Sequence, residues 1–130
     1  MVNVRPVQSD KQVSELFIQH GIKQCDGGMA MVAIENERQV GSAVFQLING
    51  ELTLLSVEYP EKDYTLCDLI SRGVMNYGVN RGVLYCQLGE KAPKAEFLML
   101  GFIKDMSECS VNIIRTFTMC THCKSNKNNQ

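Results

Sequence analysis

Cys120-Thr121-His122-Cys123 is the stretch whose residue types and spacing most directly invite chemistry. Two thiols spaced C-x-x-C can share one zinc ion, and a tetrahedral site then needs two more ligands. Cys109 could supply the third, with His122 or His20 as the fourth, but His122 lies between the two cysteines, which strains ligation by all three. The chain has no second C-x-x-C and no spaced histidine pair. A redox pair is the other chemical reading, yet thioredoxin-like motifs open a helix after a strand, whereas this one follows the last apolar segment and precedes a polar tail. An ordinary reduced tail, a zinc site and a redox pair all stay open, in that order, and Cys120 and Cys123 are expected to hold no metal. Cys25, Cys67 and Cys86 sit in or beside apolar segments and read as reduced core residues. The methionines at 29, 31, 75, 99, 106 and 119 read as gap-filling core material, and Lys91, Lys94 and Lys104 as a solvated face.

The bulk composition limits the classes of function. With 130 residues, 45% hydrophobic and 21% charged, the chain is expected to fold as one globular domain. A formal charge of -1 without a basic cluster argues against nucleic acid or an anionic membrane as partner. No apolar run approaches the roughly 20 residues that span a bilayer, and Met1 to Pro6 lacks a signal-peptide pattern, so a cytoplasmic location is expected. Residues 1–118 read as the domain and 119–130 as a Cys-containing polar tail.

The elements that would position any site can be read in order. Val2 to Val7 alternates as a strand. Ser9 with Gln12 forms a capping box, after which Val13, Leu16 and Phe17 make one helical stripe that Gly21 ends. Met29–Glu35 and Val40–Ile48 read as strands, and Asn49-Gly50 suits a tight hairpin into Glu51–Glu58, which is apolar on both faces. Thr65 with Asp68 reads as a second capping box opening a helix to Arg81, followed by the apolar strand Val83–Leu88, so that strand, helix and strand form a right-handed βαβ crossover. Pro93 opens a short helix that reaches Leu100, and Phe102–Asp105 and Val111–Thr118 read as the last two strands.

This order, β-α-β-β-β-α-β-α-β-β, resembles the GNAT N-acetyltransferase fold lacking one early helix, over about Val2 to Thr118. The resemblance is carried by Val57 to Gly82, by Arg81-Gly82 and by Leu100-Gly101-Phe102. It implies an α/β (α+β) domain, a GNAT-like mixed central sheet of about seven strands flanked by three helices. It also implies that the strands around Val57 and Val83 are parallel neighbours diverging at their C-terminal ends.

The same resemblance places Lys62, Thr65 and Cys67 at the three positions of the family's R/Q-x-x-G-x-G/A signature, with Leu66 between the last two, as the cofactor-binding turn. The family's glycines let backbone N–H groups reach the pyrophosphate of acetyl-CoA. Pro60 to Cys67 contains no glycine, and Asp63 adds a negative charge, so only weak acetyl-CoA binding is expected. The family's acid tyrosine corresponds to Phe97, which has no proton to give, and the asparagine often found earlier in that segment is missing, with Glu90 or Lys91 nearby; Tyr85 is a substitute acid if it is not core. Glu58, ending the central strand, stands where some members hold the base that deprotonates the amine; the competing reading is a solvated strand end. The implied function is acyl-CoA-dependent acetyl transfer to a small-molecule or peptide amine. A non-catalytic GNAT-fold binding module and a metal or thiol protein are the alternatives. Family folds often form homodimers through their later strands.

Overall fold

The structure is a computed structural model in which residues 1–118 are described. Six strands form one mixed sheet in chain order: β1 (Asn3–Pro6), β2 (Gly28–Glu35), β3 (Arg38–Ile48), β4 (Glu51–Glu58), β5 (Tyr85–Leu88) and β6 (Ser110–Asn112). Neighbours pair antiparallel except β4 and β5, which are parallel. Helix α1 (Asp10–His20) packs on one face. Helix α2 (Tyr64–Val79) covers the other, beside α3 (Lys94–Leu100), and residues 113–118 form a further helical turn.

The two faces carry separate cores. Met31, Ala33, Ala43, Phe45, Leu52 and Leu54 meet Leu66, Ile70, Val74 and Met75 of α2, whereas Ala30, Val32 and Val44 meet Val13, Leu16 and Phe17 of α1. Gly73 lets α2 lie against β1, because a Cβ there would stand 2.7 Å from Val4 Cγ1.

A bulge in β4 decides which of its side chains face which helix. Phe45 pairs with Leu54 and Val44 with Ser56, which leaves Leu55 as the extra residue. Up to Leu54 the even positions point to α2. Past the bulge the parity reverses, so Ser56 and Glu58 share the α1 face with Val44 and Ser42.

The strands around Val57 and Val83 are parallel neighbours, as the resemblance implies. Leu52, Thr53 and Leu54 pair with Cys86, Gln87 and Leu88, and the Gly89 N–H donates to Leu54 O at 2.9 Å. There β5 ends while β4 runs on to Glu58.

Several expectations are corrected in detail. Phe102–Asp105 is not a strand: Phe102 and Ile103 N–H groups close the end of α3 on Phe97 O, and the Glu108 carboxylate takes the Lys104 and Asp105 N–H groups. The last segment is a strand only over Ser110–Asn112, because Asn112 Oδ1 accepts the Arg115 N–H at 3.0 Å and caps a helical turn. Among the described residues the sheet therefore has six strands, close to the about seven expected. Helix α2 starts one residue earlier than expected and is capped by Asp63, not by a Thr65–Asp68 box. Met99 and Met106 lie on the surface, unlike the buried Met31 and Met75.

Candidate functional site

Glu58 ends β4, beyond the last residue paired with β5, with its side chain 41% exposed. Two consecutive residues of α1 reach it. Gln19 Nε2 donates to Glu58 Oε1 at 2.7 Å. His20 Nε2 stands 3.7 Å from the same oxygen. His20 is buried, with Nε2 2.8 Å from Ser42 Oγ and Nδ1 2.9 Å from Ser56 Oγ. Burial lowers its pKa from the ordinary value, and the Glu58 charge opposes that shift.

The turn after β5 closes over the same end of α1. Gly21 caps the helix at φ 69°, and Lys91 Nζ donates to Gly21 O at 3.2 Å. This contact places a cation at the negative end of the α1 dipole. On the other face of β4, the Tyr59 hydroxyl donates to Glu96 Oε2 of α3. Burial first, then that hydrogen bond, push the Tyr59 pKa upward, so the phenol keeps its proton.

The expected cofactor turn is assembled differently from a phosphate cradle. Lys62 is exposed and sits at φ 65°, in a turn closed by the Asp63 N–H donating to Pro60 O at 2.9 Å. Thr65 is exposed, whereas Leu66 and Cys67 point into the core. The Leu66 N–H donates to both Asp63 O and Asp63 Oδ1, and the Cys67 N–H to Asp63 O, each at 3.1 Å. Burial holds the Cys67 thiol up at about 11. Lys62, Thr65, Leu66 and Cys67 thus lie together at the start of α2, and only Lys62 and Thr65 present side chains to solvent.

Phe97 is fully buried and packs edge-on against Phe102, with ring centroids 4.9 Å apart. Tyr85 is not core: it is 51% exposed and begins β5. Glu90 and Lys91 lie on the turn, and Lys94 Nζ reaches Met106 O at 2.8 Å. Both ring nitrogens of His20 are taken by serines, which removes it from the zinc set considered with the exposed Cys109. Cys120, His122 and Cys123 lie outside the described residues. Among the described residues, no three His, Cys, Asp or Glu side chains gather as a metal site requires, and no helix is long and apolar enough to cross a membrane.

Sequence reasoning missed the His20–Ser42–Ser56 cluster and Tyr59. Neither has a local motif, and both depend on the bulge at Leu55 that assigns Ser56 and Glu58 to one face of β4.

No protein-family model matches the chain, and no curated protein matches it. Solved structures do. The ribosomal-protein-S18-alanine N-acetyltransferase of Escherichia coli is similar at a TM-score of 0.57 with 16% identity, over 79% of this chain and 78% of that one. An acetyltransferase of the GNAT family from Staphylococcus aureus matches at a TM-score of 0.50 with 15% identity, over 78% of this chain and 80% of that one. With its mixed six-stranded sheet over the described residues and the parallel pair β4–β5, the chain has the fold of the GNAT acetyltransferases.

Proposed function

We propose that the chain is an acyl-CoA-dependent N-acyltransferase that moves an acetyl group from acetyl-CoA to an amine, through a divergent cofactor turn. The observation that carries this is Glu58, a partly exposed carboxylate at the end of β4 beyond its pairing with β5, oriented by Gln19. In the reaction, the amine nitrogen attacks the thioester carbonyl, the C–N bond forms and the C–S bond breaks. The nitrogen's proton passes to Glu58, and the thiolate leaves to be protonated by solvent. The acceptor would be a small-molecule or peptide amine.

A second reading, a binding module of the same fold without catalysis, is favoured by one arrangement. The Asp63 carboxylate caps α2 at the place a phosphate would take, and the buried Phe97 supplies no acid. Calorimetry with acetyl-CoA and with CoA, followed by assay of free thiol release over a panel of amines, separates the two. Weak acetyl-CoA binding with amine-dependent thiol release supports the acyltransferase. Binding without release over the whole panel supports the module.

A further inference from the structure

The carboxylate assigned as base is bracketed by two neighbours on α1: Gln19 from the solvent side and His20 from within. His20 is 8% exposed, and each of its nitrogens meets a serine hydroxyl, Ser42 on β3 and Ser56 on β4. A neutral imidazole has one N–H and one lone pair, so one serine accepts from it and the other donates to it. Rotating the ring would break both bonds in a buried site, which fixes its orientation. The end of α1 is thereby tied to β3 and β4 directly behind Glu58.

The groups that face this ring can be named. Glu58 and Ser56 come from β4, Ser42 from β3 and Gln19 from the same helix end, while Lys91 of the 89–93 turn donates to the carbonyl of the next residue, Gly21. Burial lowers the affinity of the ring for a proton more than the Glu58 charge raises it. At neutral pH the ring is therefore uncharged, and Glu58 carries the hydrogen bond from Gln19 without a buried cation beside it.

We propose that His20 is a positioning residue for Glu58: as a neutral ring fixed by Ser42 and Ser56 it leaves the carboxylate free to accept a proton, and as an imidazolium it pairs with that carboxylate and withdraws it. The proposal rests on the assignment of Glu58 as the base. It predicts a device that switches the site off in acid, at a pH set by a residue that touches no substrate.

The test is an NMR titration of the His20 ring in the full chain and in Glu58→Gln, beside a pH–rate profile of acetyl transfer. Removing the Glu58 charge, 3.7 Å away, should lower the His20 pKa further, by about half a unit to one unit. His20→Phe should lower kcat by about one to two orders of magnitude with KM unchanged. His20→Gln, which cannot charge, should move the acid limb of kcat to lower pH. Identical His20 titrations in the two proteins would overturn the proposal. Glu58 is partly exposed, so Glu58→Gln is expected to fold and this arm decides even if the His20 variants do not. The titration needs no turnover. Coupled titration without any acetyl transfer would sink the acyltransferase reading alone, and uncoupled titration with Glu58-dependent transfer would sink the positioning role alone.

Discussion

Asp63 Oδ1 accepts the backbone N–H of Leu66 at 3.1 Å, so α2 is capped by a carboxylate of its own chain. The Asp63 carbonyl takes the Leu66 and Cys67 N–H groups as well. A phosphate approaching this helix end would have to displace an internal anion from donors that are already satisfied. Asp63→Asn keeps the cap and removes the charge, because the two residues are nearly equal as N-caps. Acetyl-CoA affinity should rise by about three- to tenfold from a high-micromolar start, near about −5 kcal/mol, with the urea midpoint almost unmoved. Unchanged affinity in calorimetry would show that the Asp63 charge does not limit binding.

Phe97→Tyr restores the hydroxyl that the resemblance leads one to look for, but at a fully buried site. Phe97 is fully buried against Phe102, and its carbonyl accepts the Phe102 N–H at 2.9 Å. Burying an unpaired hydroxyl there should cost about 1–3 kcal/mol, and acetyl transfer should not accelerate. Equilibrium urea unfolding with a parallel thiol-release assay checks both parts, and a faster, equally stable variant would contradict the placement.

Much of this fold was legible because local signals agree with it. Ser9 caps α1 by accepting the Gln12 N–H, Gly21 closes it in the left-handed region, and Asn49-Gly50 turns β3 into β4. The β4–α2–β5 crossover followed from the apolar patterns with a helix start read near Thr65, although the cap is Asp63. The last segment failed for a stated reason: Val111, Ile113, Thr116 and Phe117 have the composition of a strand, yet the Asn112 side chain and the Thr116 hydroxyl, which donates to Asn112 O at 2.8 Å, favour a helical turn. Glu58 was visible as a position. Its surroundings were not, because His20, Ser42 and Ser56 are separated in sequence and meet only through the sheet register and the bulge at Leu55.

Stability should fall in mild acid because of His20. Its folded pKa lies below the ordinary 6.5, so in the pH interval between the two values the unfolded chain binds a proton that the folded chain refuses. The stability contributed by the neutral ring is fully present above pH 6.5 and is lost as pH falls toward the folded value. Urea unfolding across that interval should show a shallower decline for His20→Gln than for the unsubstituted chain. Parallel declines would mean that other groups dominate.

The central claim is that Glu58 takes the proton from the acceptor amine. Glu58→Gln keeps the size of the side chain and its place beside Gln19 while removing the base. The direct measurement is kcat/KM for acetyl transfer, at saturating acetyl-CoA and the preferred amine, in Glu58→Gln against the unsubstituted chain. A loss of roughly two to four orders of magnitude, the usual worth of a general base, is the predicted result. Equal turnover in the two proteins would contradict it and leave Glu58 as a solvated strand end.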